Sequence, residues 1–347
     1  MSLSRRHLLA CIGASLLAPR AVAATLSPSV RAIIKPKRPK SGDLVGLIAP
    51  SGVMDDALIE KGVKNLESYG FKVKVGNNIR AARGGYAGTV AQRLDDLHGM
   101  FLDKDVKAIW AARGGSGCSA LLPSIRYDLI RANPKVLVGY SDITALHLAI
   151  YRKARLVTFH GPVAPSTPTD YTVSQMQAVL MSPRPQTEIN MSVENEKKVT
   201  TQSEFALRTF RHGVAEGRLI GGNLSVLSAL IGTPYAAEIE NHLVFLEDVR
   251  EPPYRIDRML TQLQLAGILP GAAAVLLGVF QKCEPPDAEP SLSLAETLDG
   301  QLSGARVPSV YGYSLGHVPH ICTLPIGIRA RLDTEARTVT LLESAVS

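Results

Sequence analysis

The chain has 347 residues, 46% of them hydrophobic, a length that favours two cores over one and enough apolar material to fill both. Its formal charge of +7 does not announce a nucleic-acid partner. Arg5, Arg6, Arg20, Arg31, Lys35, Lys37, Arg38 and Lys40 precede Ser41 and no acidic residue does, so from Ser41 onward 30 basic residues meet 31 acidic ones, a formal charge of −1 without a basic stripe.

Residues 1–24 are expected to be a removable twin-arginine export signal. Ser4-Arg5-Arg6-His7-Leu8-Leu9 leads into an apolar run ending near Ala18, and Ala21-Val22-Ala23 offers small residues for cleavage. The run is shorter than the roughly 20 residues that span a bilayer, and no later segment supplies them, so no integral membrane segment is expected. Leu8-Leu9-Ala10-Cys11 has the outline of a lipidation box, but Cys11 comes before the apolar run has properly begun. The signal implies a periplasmic protein, or a cytoplasmic one if the signal is not used. A basic, proline-containing tether, 25–42, is expected to follow.

From Asp43, strand and helix alternate: strand Leu44 to Pro50, helix Asp55 to Tyr69, strand Phe71 to Val75, helix Thr89 to Leu102, strand Val106 to Ala112, a helix start at Cys118, strand Val136 to Tyr140 and helix Ile143 to Arg152. Continuous apolar strands of this kind predict a parallel, flavodoxin-like sheet covered on both faces, a first domain over 43–165. The pattern breaks into a Pro-, Thr- and Ser-rich stretch, read as a linker over 166–204. A smaller mixed α/β domain, 205–347, is expected next, with strands His242 to Leu246, Ala273 to Phe280 and Ser309 to Ser314, and a closing hairpin over 329–342. Functional groups in such folds gather where strands end and helices begin, here facing an interdomain cleft.

Ser141 stands at such a junction, where a hydroxyl projects toward the first amides of a helix. It can be a nucleophile or a helix cap, and Gly139-Tyr140-Ser141-Asp142-Ile143 lacks the second glycine of the usual nucleophile elbow. A nucleophilic serine needs a base. His147 lies six residues along the same helix and faces away, His160 ends the next strand and is a rival, and His317 closes a strand in the second half, as does Glu247-Asp248. Arg113-Gly114-Gly115-Ser116-Gly117 can bring backbone N–H groups close to developing negative charge, or can be an ordinary turn. Its spacing fits neither dinucleotide nor phosphate-loop patterns.

No metal or cofactor is expected. His-Glu-x-x-His is absent, His317-x-x-His320 alone is a weak pair, and Cys118, Cys283 and Cys322 form no metal knuckle. An oxidising compartment would permit one disulfide among these cysteines, but nothing in the spacing demands it.

Taken in order, Leu47-Ile48-Ala49-Pro50-Ser51-Gly52, Arg113-Gly114-Gly115-x-Gly117, Gly139-Tyr140-Ser141-Asp142-x-Thr144, Gly221-Gly222-Asn223-Leu224, Leu246-Glu247-Asp248 and Gly316-His317 resemble the LD-carboxypeptidase family of serine peptidases. The resemblance implies Ser141 as nucleophile, His317 as base and Glu247 as its partner, with an oxyanion hole from the backbone N–H groups of Asp142 and Gly115. It implies a murein tetrapeptide or related muropeptide as substrate, cut between meso-diaminopimelate and D-alanine without metal or cofactor. A sister branch cleaves microcin-type peptidyl nucleotides, and a muropeptide-binding protein with an inactive site is the rival of another class. Ser116 stands where the family often has tyrosine, which bears on pocket shape. Arg113, Arg255 and Arg258 are candidates for the substrate carboxylate. Monomer or homodimer is left open.

Overall fold

The computed structural model describes residues 32–184, 186–285 and 290–347. The expected export signal and the tether up to Arg31 lie outside the described residues. The rest of the tether runs along the body. Ile34 N–H donates to the Arg155 carbonyl and Val157 N–H to that of Ile34, Arg38 N–H donates to the Ser347 carbonyl, and Lys35 pairs with Glu343 at 2.8 Å.

The first sheet has six strands in the order Leu324–Pro325, Phe159–His160, Val136–Gly139, Val106–Ala111, Leu44–Ile48, Lys72–Val75. The last five are mutually parallel and follow the doubly wound flavodoxin order, whose switch point lies between Leu44–Ile48 and Val106–Ala111. Val136–Gly139 is buried at every position, because helices cover both faces. Leu324–Pro325, from late in the chain, pairs antiparallel with Phe159–His160 and ties the second half to the first sheet.

The second sheet has eight strands. Val214–Asn223, His242–Glu247, Ala274–Gly278 and Ser309–Tyr313 form its parallel centre, flanked by antiparallel strands Arg208–Arg211 on one side and Arg329–Asp333, Thr338–Leu341 and Thr187–Ile189 on the other. The stretch expected as a linker is ordered into this arrangement. It carries the helix Asp170–Leu180, capped by Thr169 Oγ1, and contributes Thr187–Ile189 to the sheet edge.

The two sheets meet where their parallel strands end. Gly221 and Gly222 have φ of +153° and +138°, and a Cβ on Gly222 would stand 2.4 Å from Thr144 Oγ1. Only glycine allows that approach, which lets the Asn223 N–H donate to Thr144 Oγ1 at 2.9 Å. The helix Thr144–Ala154, which follows Ser141, is thereby fixed against the end of the strand Val214–Asn223.

Candidate active site

Ser141 follows the strand Val136–Gly139 and has φ of 64°, left-handed for a residue with a Cβ. Non-glycine residues held there are strained, and such strain collects at functional sites. The hydroxyl does not cap the helix: no amide donates to it among the described residues, and the helix Thr144–Ala154 has no side-chain cap. Its neighbours hold the strained turn in place. Asp142 turns its carboxylate back into the body, where Oδ2 accepts from Ser51 Oγ at 2.5 Å and from the Cys118 N–H at 2.9 Å. The loops after three strands of the first sheet are thus joined through one carboxylate.

The Arg113-Gly114-Gly115 turn lies against Ser141. A Cβ on Gly114 would fall 2.7 Å from the Ser141 Cβ, 2.8 Å from its Oγ and 3.4 Å from the Asp142 nitrogen. Gly115 has φ of +123° and packs on Gly52, whose N–H donates to the Gly114 carbonyl at 3.2 Å. Both residues expected to offer oxyanion donors, Asp142 and Gly115, therefore stand in segments beside the serine. The first amides of the turn that begins at Ser141 have no acceptor within it.

Glu247 ends its strand, fully buried, and its Oε2 accepts a hydrogen bond from His317 Nδ1 at 2.7 Å. Gly316 makes the approach feasible: at φ +88°, a Cβ there would lie 2.5 Å from Glu247 Oε2. Burial alone would pull the His317 pKa down, but the Glu247 carboxylate and its hydrogen bond, with Asp248 adding to them, hold it above the ordinary value. Burial would likewise raise Glu247, and the His317 charge and hydrogen bond outweigh it, so that carboxyl stays below its usual range. With Nδ1–H given to Glu247, the free Nε2 is the basic nitrogen. The ring of Tyr140, the residue before Ser141, meets the His317 ring edge-on at 4.9 Å and brings the two halves of the site together.

The other histidines are differently placed. His147 donates from Nε2 to the Gly139 carbonyl at 2.8 Å, and burial takes its pKa to about 3, so it braces the strand behind Ser141. His160 is wholly buried between Phe245 and Tyr140, and burial lowers its pKa to about 4. Arg113 donates to the Val53 carbonyl, Arg255 pairs with Glu251 at 2.7 Å, and Arg258 lies over the Tyr254 ring. Cys118, Cys283 and Cys322 are buried free thiols. Among the described residues, no three His, Cys, Asp or Glu side chains cluster as a metal site.

Sequence reasoning gave no role to Tyr140, Ser51 or Thr144, and Asp248 entered only as the neighbour of Glu247. The Asp248 carboxylate accepts from Asn223 Nδ2, from the Ser225 N–H and Oγ, and from the Val249 N–H. Burial, with Glu247 beside it, raises its pKa to about 6. The side-chain amide of Asn223 and the hydroxyl of Ser225 just beyond the Gly221-Gly222 pair were the only available signal.

The model of the LD-carboxypeptidase N-terminal domain matches residues 45–161, and that of the LD-carboxypeptidase C-terminal domain matches 216–332. The chain belongs to the LD-carboxypeptidase family. It is 38% identical over 314 residues to the probable murein peptide carboxypeptidase of Bacillus subtilis, covering 90% of this chain and 95% of that one. It is 34% identical over 295 residues to the murein tetrapeptide carboxypeptidase of Pseudomonas aeruginosa, covering 83% and 92%. Among solved structures, the microcin C7 self-immunity protein in complex with adenosine monophosphate superposes with a TM-score of 0.81 at 26% identity, covering 90% of this chain and 100% of that one. The muramoyltetrapeptide carboxypeptidase of Oxalobacter formigenes gives 0.73 at 29%, covering 86% and 97%. Family and relatives make this chain a carboxypeptidase.

Proposed function

We propose that this carboxypeptidase is of the serine type and hydrolyses the L-to-D amide bond between meso-diaminopimelate and D-alanine in murein tetrapeptides. The observation that carries the reading is the hydrogen bond from part-buried His317 to fully buried Glu247, set against the turn that holds Ser141 at positive φ. His317 Nε2 takes the Ser141 proton as Oγ attacks the amide carbonyl, a general-base contribution on the order of 10² to 10⁴ in rate. The N–H groups of Asp142 and Gly115 receive the oxyanion, each worth roughly 2.7 to 4 kcal/mol. His317 then protonates the leaving amine of D-alanine. Water, deprotonated by the same nitrogen, releases the acyl group and restores the serine. The unprotonated imidazole is the active form, so kcat/KM rises with pH through the raised His317 pKa and levels off above it.

The test incubates purified wild-type chain and Ser141→Ala with murein tetrapeptide and measures D-alanine. Wild type should release it, and the variant should fall by about 10⁴-fold or more. Release at the wild-type rate from the variant refutes the serine mechanism. A second reading, hydrolysis of aminoacyl or peptidyl nucleotides, is supported by the likeness to the self-immunity protein, also solved in complex with aspartyl sulfamoyl adenosine. An aminoacyl-nucleotide conjugate in a parallel reaction separates the two: turnover of the conjugate with none of the tetrapeptide favours the second.

A further inference from the structure

Cations far apart in sequence come together around one pocket at the end of the first sheet remote from Ser141. A pocket of about 400 Å³ has Lys37, Arg38, Lys40, Lys104, Lys107 and Lys135 in its lining. Lys135 is committed inward. It is 7% exposed, donates to the Met100 and Asp103 carbonyl oxygens, and has its pKa brought down to about 8 by burial. The other five are exposed, and none forms an ion pair among the described residues. Of the neighbouring acids, Asp103 pairs with Lys74 at 2.6 Å, Asp43 Oδ2 accepts the Lys40 backbone N–H at 2.7 Å and keeps its charge, and Asp105 stands on the loop. Three of these cations come from the segment before Ser41 and two from the segment 104–107, and together they outnumber Asp43 and Asp105, which makes the face net positive.

That face also carries an apolar side chain. Leu102 closes the helix Val90–Leu102, lines the same pocket and is 50% exposed, while Leu97, Met100 and Phe101 of that helix are buried. Convergent donors would suit a small soluble anion. Charges on two separate segments, 37–40 and 104–107, flanking an exposed leucine suit a surface that is anionic and has an apolar layer beneath it.

We propose that this face docks the protein on the phosphate headgroups of an anionic lipid bilayer. Its position has a functional consequence. Asp43, Val106 and Lys135 stand at the N-terminal ends of parallel strands, and Ser51, Arg113 and Ser141 follow their C-terminal ends. Strands of four to six residues at about 3.3 Å each separate the docking face from the serine, so the catalytic end points away from the bilayer.

The experiment sediments the full chain with vesicles of phosphatidylcholine alone or with phosphatidylglycerol added. Binding should need phosphatidylglycerol and weaken as salt shortens the screening length. Lys104→Ala with Lys107→Ala should lower affinity about 25-fold, at about fivefold per cation. Leu102→Ser should lower it further with the charges intact, and the melting temperature of each variant should match wild type. Wild-type binding by the double variant overturns the proposal and moves the attraction to residues 1–31. Release from vesicles by millimolar inorganic phosphate at constant ionic strength also overturns it, in favour of a small-phosphate site.

Discussion

The two edges of the candidate active site hold their groups by opposite means. On the serine edge the backbone does the work: Ser141 at φ 64°, Gly115 at φ +123° and a Gly114 that leaves no room for a Cβ beside the serine. On the histidine edge the work is electrostatic, a fully buried carboxylate facing an imidazole that it keeps more basic than burial would allow. The serine edge should therefore be sensitive to shape and the histidine edge to charge.

Glu247→Gln keeps the shape and removes the charge, and it should have the larger effect. On the proposed serine mechanism, loss of about 10⁴ in kcat is expected, as for triads whose orienting carboxylate becomes an amide. The pH profile gives the sharper signature. Without the carboxylate, burial dominates His317 and its pKa drops, so the acid limb of the residual kcat/KM moves to lower pH. A loss of rate with the limb unmoved would mean that Glu247 only positions the ring.

Gly114→Ala is the converse, a change of shape without charge. Its methyl would stand 2.7 Å from the Ser141 Cβ, so either the turn or the serine must shift. Displacement of about 1 Å costs on the order of 10² in rate. The acid limb should stay where it is, since nothing near His317 has changed. A moved limb would show that the two edges are coupled.

The same division governs what could be read from the chain. Parallel strands covered on both faces announce themselves as apolar runs, so Leu44–Ile48, Val106–Ala111 and Val136–Gly139 were legible, and with them the loops that carry Ser51, Gly115 and Ser141. Glu247 was legible as the last residue of a strand. The helix Asp170–Leu180 was not, because Thr and Pro around it mimic a loop while its stability comes from packing Met176, Val179 and Leu180. Leu324–Pro325 is too short to show a period and exists only through its pairing with Phe159–His160. The φ of Ser141 and the basic face around Lys104 are likewise products of assembly: one is set by neighbouring turns, the other joins residues some seventy positions apart.

The smallest effect should come from His160, the rival base. Its ring is fully buried, both ring nitrogens lack hydrogen-bond partners among the described residues, and its pKa of about 4 leaves it neutral at working pH but too weakly basic to serve a serine. Its contacts with Phe245 and Tyr140 are those of an aromatic core residue, at centroid distances of 5.3 and 6.1 Å. His160→Phe preserves the ring and removes two buried polar atoms that nothing satisfies. Stability should hold or rise by about 1 kcal/mol in thermal melts. Activity on tetrapeptide should stay within a few-fold of wild type, with the acid limb unmoved. A collapse as deep as that of Ser141→Ala, in a variant that melts normally, would transfer the base from the part-buried His317 to the wholly buried His160. The division of labour between the two edges would then fall with it.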